Sequence, residues 1–266
     1  MSNIAVTHAA SGLVYAEVAR AERVTPHMVR VTLTGDDLRR FEHVGFDQWF
    51  RLALPVHGDA ALRRMPQRFG MTGMLKWLAI GKDARPVIRN YTVRDFRPEM
   101  PELDIDFVVH GDDGTAGPWA QRAVAGERVA FIDQGCGWRG LASDWQLIAA
   151  DESGLPAAAG ILRDLPRGAR GHAIIELFDA RDRQAVEAPP GVTVHWLVRD
   201  PGEAPGARLL PFLADLAFPE GLPYAFVVGE QALAAAGRRH LVKERGIDRR
   251  HVTFSGYWKR GATSPS

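Results

Sequence analysis

The apolar residues of this 266-residue chain follow one rhythm up to about Gly135 and another after Trp145, and that change limits the folds open to it. In the first stretch, Leu13 to Val24, His27 to Thr34, Trp49 to Pro55, Ile88 to Arg94, Leu103 to His110 and Glu127 to Ile132 carry apolar or β-branched alternation. Most are bounded by Gly, Pro or Asp. Six antiparallel strands of that length predict a small barrel. A long insert, Val56 to Pro86, separates the third and fourth strands. Its apolar stretch Met71, Met74, Leu75, Trp77, Leu78 and Ile80 predicts a short helix over the barrel end, with a lid or a contact surface as the alternative.

After Trp145, compact apolar runs alternate with segments of helical spacing. Gln146 to Ala150, Ala173 to Phe178, Val192 to Val198 and Tyr224 to Val228 read as strands buried on both faces, with His251 to Gly256 closing the set. Leu155 to Leu165, Leu209 to Leu216 and Gln231 to Arg245 read as helices between them. The predicted fold class is β + α/β: a six-stranded antiparallel β-barrel over residues 12–140, followed by an open parallel α/β sheet over residues 141–261. Ligands on such sheets sit beyond the carboxyl ends of the strands, where Asp151 to Gly154, Asp179, Arg199, Gly229-Glu230 and Tyr257-Trp258 fall.

Composition removes several function classes. Apolar content of 46% and charged content of 24% are those of a globular chain, and a net charge of +1 gives no nucleic-acid footprint. No apolar run reaches the length of a membrane span, and Met1 to Ala10 lacks a basic segment followed by an apolar stretch, so a cytoplasmic location is expected. The single cysteine, Cys136, excludes an intrachain disulfide framework and a cysteine-ligated iron–sulfur cluster within this chain. The late basic cluster, Arg238 to Arg250, reads as the wet face of a helix whose other face carries Leu233, Gly237 and Leu241.

Few segments carry chemistry. Arg89-Asn90-Tyr91-Thr92-Val93-Arg94 sets a cation, an aromatic ring and a hydroxyl at strand spacing, able to clamp a diphosphate, cover a flavin ring and bond near its N5. An ordinary surface strand has the same composition. Gly114-Thr115-Ala116-Gly117-Pro118-Trp119 suits an anion at a helix start, with Pro118 at the first helical position and the helix running Trp119 to Ala125. Gly135-Cys136-Gly137-Trp138-Arg139-Gly140 spells a dinucleotide fingerprint, yet only Leu141 to Asp144 separate it from the next strand, so it reads as a turn. In Asp151-Glu152-Ser153-Gly154-Leu155-Pro156, Ser153 and Gly154 suit a helix cap or a nicotinamide dinucleotide, while the two acids disfavour a phosphate beside them. His110, His172, His195 and His251 are scattered among strands with no metal-ligand spacing, and neither Ser153 nor Ser255 sits in a nucleophile elbow.

The order of these motifs resembles the siderophore-interacting protein family, FAD-containing ferric-siderophore reductases of the ferredoxin–NADP reductase superfamily. The resemblance runs through Val24 to Leu33, Arg89 to Arg94, Asp106 to Gly111, Ala116 to Ala120, Asp151 to Ala157, Gly229-Glu230 and Gly256-Tyr257-Trp258-Lys259-Arg260-Gly261. It implies electron flow from NAD(P)H through FAD to a ferric siderophore, with iron leaving as Fe(II). It places flavin contacts at Arg89, Tyr91, Thr92, His110, Gly111, Thr115, Ala116, Gly117 and Trp119, with further cofactor positions at Asp151, Ser153, Gly154, Tyr257 and Trp258. It also implies chelate contacts at Arg51, Arg139, Lys259 and Arg260, converging on one basic site. No side-chain acid or base is required, because the cofactor carries the chemistry. The alternatives are a siderophore-binding protein without turnover and a reductase of free flavin, quinone or ferredoxin. Arg181 and Arg183, interleaved with Asp179 and Asp182, read as solvated charges and leave NADH and NADPH both open, with a lean to NADPH. Gly117 and Phe226 stand where many members carry Ser and Trp, and the insert is not a shared signature.

Overall fold

The computed structural model describes residues 2–7, 12–55, 58–66, 73, 75, 78–81, 85–109 and 114–261. They form two compact units, a β unit of residues 6–44 and 48–135 and an α/β unit of residues 2–5, 45–47 and 136–261.

The β unit contains β1 (Leu13–Thr25), β2 (Met28–Thr34), β3 (Trp49–Leu54), β4 (Val87–Thr92), β5 (Asp95–Arg97), β6 (Glu102–Val108) and β7 (Arg128–Gly135), with one helix, α1 (Ala116–Arg122). The strands pair in the order β4-β3-β7-β1-β2-β6-β5, every pair antiparallel. Seven strands are present where the sequence predicts six, and the hydrogen-bonded order has two ends instead of closing. The extra strand, β5, is three residues long, and Pro98, which has no amide to donate, follows it. The two ends meet through consecutive amides. Val93 donates to the Gln48 carbonyl at 2.8 Å and Arg94 to the Asp104 carbonyl at 2.9 Å. Successive amides of an extended chain point to opposite sides, so one dipeptide bridges to β6 and to the residue before β3 without a continuous ladder.

Period-two alternation buries both faces of this sheet near β1. Val14, Ala16 and Val18 join Phe50, Leu52, Phe107, Trp119 and Phe131 in the interior. Leu13 turns the other way, joining Ala53, Ala130 and Ile132 under Leu62, Met65 and Ile80 of the insert. The insert therefore covers an outer face of the sheet through Leu62, Met65 and Ile80, whereas Leu75 and Leu78, expected to face the barrel, are 65% and 57% exposed. Met71, Met74 and Trp77 lie outside the described residues. Across β2 and β6, register places Arg30 opposite Asp106 and Thr32 opposite Asp104. Arg30 clamps Asp106 at 2.7 and 2.9 Å, and Arg97 clamps Asp104 at 2.8 Å through both nitrogens. Arg94 adds a 3.4 Å contact to Asp106.

In the α/β unit, β8 (Trp145–Ala150), β9 (Arg170–Leu177), β10 (Gly191–Val198), β11 (Pro223–Glu230) and β12 (Val252–Trp258) form a wholly parallel sheet in the order β10-β9-β8-β11-β12. The helices are α2 (Leu155–Asp164), α3 (Leu209–Asp215) and α4 (Gln231–Arg239). Strand order reverses between β8 and β11, which sets a switch point at their carboxyl ends. Leu233, Gly237 and Leu241 face inward as expected, and a methyl on Gly237 would approach Val227 to 2.9 Å.

Two short segments from the amino half complete this unit. Asn3 pairs with the exposed edge of β12, accepting from the Phe254 amide at 2.8 Å. Asp47 accepts from the amides of Gly137 and Trp138 at 2.8 to 3.1 Å, and burial, opposed by those donors, holds its carboxyl up at about 6. The fingerprint-like Gly135 to Gly140 is thus a turn fixed on a carboxylate, with no helix after it.

Three elements are joined by Arg199, which is buried and bonds Glu176 at 2.8 Å and Glu152 at 3.0 Å while lying 4.6 Å from the Phe178 ring. Two carboxylates share one guanidinium here. Burial and the neighbouring charge of Asp151, opposed by Arg199, push the Glu152 carboxyl up to about 8 from an ordinary 4.5. The folded protein then holds this proton where the unfolded chain has lost it, so Glu152 withdraws stability as pH rises from about 4.5 to about 8. Thermal unfolding of Glu152→Gln should therefore gain on the natural chain as pH rises from 5 to 8, by about 2–4 °C per kcal/mol recovered. A pH-independent difference in Tm would contradict this assignment.

Candidate functional site

In the β unit, β4 carries the Arg-x-Tyr-Thr motif at an edge of the sheet. Period two sets Arg89, Tyr91 and Val93 on one face, and Val93 belongs to the interior cluster against which Tyr91 packs. The Tyr91 ring lies 4.2 Å from Phe107, which lies 5.5 Å from Trp119 of α1. This run of rings joins β4, β6 and α1. Burial, opposed by Arg89, pushes the Tyr91 phenol well above its ordinary value, so it stays protonated. Arg89 is half-buried, donates to the Ile88 carbonyl at 2.8 Å and is held below its usual range by burial, opposed by Tyr91. Thr92 is 8% exposed and pairs across the ladder with Trp49. The Trp49 indole Nε1 is buried with no hydrogen-bond partner among the described residues, a donor that motif reading passed over.

The α1 helix starts at Ala116, earlier than the sequence predicts, so Pro118 is its third residue. The sequence places Pro118 at the first helical position because proline lacks an amide, whereas Ala116 and Gly117 already belong to the helix. Thr115 makes no side-chain cap and the first turn holds no acid, so the amides of Ala116 and Gly117 have no side-chain acceptor among the described residues. A methyl on Gly117 would meet the Val108 carbonyl at 3.3 Å, which sets how closely α1 lies on the end of β6. His110 and Gly111 fall outside the described residues. A half-buried cation, a partly buried aromatic ring and a helix start without a side-chain cap among the described residues suit a flavin dinucleotide.

The carboxyl edge of the α/β sheet has the opposite character. Asp151 is fully buried and accepts five donors: Ser153 N at 2.9 Å, Ser153 Oγ at 2.5 Å, Gly154 N at 3.3 Å, Glu230 N at 2.6 Å and Trp258 Nε1 at 3.1 Å. The predicted cofactor positions Asp151, Ser153, Gly154 and Trp258 are thus brought together by their own bonds. Tyr257 lies on β12, half-buried, its phenol raised by burial and by the charges of Asp47 and Asp151.

The four cations expected to converge are placed differently. Arg139 donates to Thr253 Oγ1 at 3.0 Å and to the Arg250 carbonyl at 2.8 Å, at the amino end of β12. Lys259 and Arg260 follow the carboxyl end of the same strand, about 20 Å further on at roughly 3.3 Å per residue. These are not brought together. Arg260 spends its amide on Glu230 Oε1 at 3.2 Å, leaving Lys259 exposed beside it. Arg51 lies on β3 of the β unit, paired with Asn90 and half-buried. Arg181 is locked on Asp179 at 2.5 to 3.1 Å, as a solvated loop pair would be.

Comparison with known proteins follows the same division. Residues 17–137 match the siderophore-interacting FAD-binding domain family and residues 143–261 the siderophore-interacting protein family. The ferric vibriobactin reductase ViuB of Vibrio cholerae is 35% identical over 249 residues, covering 92% of this chain and 89% of its own. The NADPH-dependent ferric-chelate reductase of Escherichia coli is 29% identical, covering 91% of each. Among solved structures, a siderophore utilization protein from T. fusca superposes with a TM-score of 0.79 at 33% identity, over 98% of both chains. The fold is ferredoxin reductase-like, and the chain belongs to the siderophore-interacting protein family.

Proposed function

We propose that this protein is an FAD-containing reductase that passes electrons from NAD(P)H to a ferric siderophore and releases Fe(II). The observation that carries the reading is β4, which holds Arg89, Tyr91 and Thr92 and whose Tyr91 ring is joined to Trp119 of α1 through Phe107. The similarity to the ferric vibriobactin reductase of Vibrio cholerae and to the NADPH-dependent ferric-chelate reductase of Escherichia coli supports the reading. Bound FAD would accept a hydride as an electron pair and give electrons up singly, chemistry that side chains do not supply.

This chain's residues hold and orient. Arg89 clamps the diphosphate, the Ala116 and Gly117 amides take its remaining oxygens, Tyr91 covers the ring and Thr92 donates near N5. His110 and Gly111 are assigned to the same contacts. Lys259 and Arg260 attract the oxygen-rich chelate, whose hard ligands hold Fe(III) better than Fe(II), so reduction loosens the iron. NADPH is the expected donor, after the Escherichia relative.

Anaerobic mixing of the flavin-loaded protein with NADPH should bleach the flavin absorbance, and a ferric chelate should restore it as Fe(II) appears. A colourless protein that takes up no flavin, or bleaching that no chelate reverses, contradicts the reading. Arg89→Ala should weaken FAD binding about 10- to 100-fold, the value of a charge-assisted hydrogen bond, and Tyr91→Phe, which keeps the ring, much less. Lys259→Ala and Arg260→Ala should raise KM for an anionic chelate more at low salt than at high salt. Arg139→Ala should instead lower Tm with KM unchanged, because its guanidinium is spent on Thr253 and Arg250. Equal effects of all three on KM would restore the convergent site.

A further inference from the structure

In open parallel α/β sheets a dinucleotide's diphosphate rests at the switch point, on amides that open a helix. Here that position lies between the carboxyl ends of β8 and β11, and the chain's own carboxylates fill it. Asp151 takes the amides of Ser153 and Gly154 that lead into α2 and, with its other oxygen, the Glu230 amide that leads into α4. Leu155 donates to the Glu152 carbonyl at 3.4 Å, and Pro156 has no amide. On α4, Glu230 Oε2 accepts from Ala232 and, at 3.2 Å, from Leu233. The same arrangement recurs before α3, where Glu176 accepts from Gly206, Arg208 and Leu209 at 2.7 to 3.0 Å.

Gly229 shows how closely the carboxylate sits. Its φ is +131°, and a methyl there would lie 2.6 to 2.7 Å from the Asp151 carboxyl group. The close backbone approach that a glycine gives a diphosphate in other dinucleotide sites is here given to Asp151. A diphosphate entering this crevice would have to evict a buried carboxylate from five donors and then stand beside Asp151, Glu152 and Glu230.

We propose that Asp151 and Glu230 exclude the donor's diphosphate from the helix starts, so that the protein recognises a reduced nicotinamide such as NADPH by its nicotinamide end and gains little affinity from the diphosphate. This rests on the reading of the protein as a nicotinamide-driven flavoenzyme. The two residues act as specificity determinants through the backbone amides they occupy. The exclusion applies to any ligand carrying an adenosine diphosphate half, whatever its nicotinamide state.

Two measurements on the flavin-loaded protein decide it. Titration with ADP-ribose, which carries the diphosphate without the nicotinamide, should show no saturation below about 1 mM, weaker than about −4 kcal/mol. Anaerobic reduction of the flavin by reduced nicotinamide mononucleotide and by NADPH should give second-order rate constants within about tenfold, or 1.4 kcal/mol, of each other. Glu230→Ala, which vacates the α4 amides, should bind ADP-ribose at least about tenfold tighter, whereas Glu230→Gln, which keeps a side-chain acceptor, should gain less. A micromolar ADP-ribose constant for the natural protein overturns the proposal, as does a mononucleotide slower by more than about a hundredfold. If no reduced nicotinamide bleaches the flavin, the reading of the activity fails, while the ADP-ribose titration still decides the exclusion.

Discussion

A helix leaves its first amides without partners inside the helix, and how this chain satisfies them separates its two units. At the carboxyl edge of the parallel sheet the amides entering α2, α3 and α4 go to Asp151, Glu176 and Glu230, each a buried side chain of the chain itself. At the start of α1 no side chain among the described residues takes that role. Internal capping stabilises the α/β unit, whereas the α1 start of the β unit has no such cap among the described residues. The same backbone chemistry is spent on structure in one unit and, under the function proposed, is left for a cofactor in the other.

Carboxylates buried at such density need compensation. Asp151 is supplied with five donors, Glu176 with three amides and Arg199, and Glu152 with its share of Arg199 alone. Burial and the neighbouring charge of Asp151, only partly offset by the shared guanidinium, raise the Glu152 carboxyl to about 8. In the β unit the corresponding problem is solved by register: Arg30 faces Asp106, and Thr32 with Arg97 meets Asp104. Arg94, read from the sequence within a cofactor motif, joins that ladder through Asp106. Only the first part of the hexapeptide, Arg89 to Thr92, remains with the flavin assignment.

What the sequence made legible follows physical range. Period-two runs and short buried runs placed nearly every strand, because alternation is a local signal that burial on a sheet enforces. β5 escaped because three residues are too few to show a period, and its pairing is set by the crossing at Val93 and Arg94. The start of α1 was displaced because Pro118 was read as a first helical residue, where the third position tolerates it equally. Non-local capture was invisible: nothing near Asp47 in the chain indicates that it will hold Gly137 and Trp138, and nothing near Arg139 indicates Thr253. The acids of Asp151-Glu152 already argued against a phosphate beside them, but the reach of Asp151 to Glu230 and Trp258 appears only when β8, β11 and β12 are side by side.

The central claim is that a flavin dinucleotide is held by its diphosphate half at the β unit. The most direct measurement is the equilibrium affinity of the flavin-free protein for FAD and for riboflavin, which share the ring system and differ in the diphosphate and adenosine. Arg89 and the uncapped α1 amides predict FAD binding at least about a hundredfold tighter, or 2.7 kcal/mol. Equal affinities for the two would contradict the account, because the cation and the open helix start would then contribute nothing to holding the cofactor.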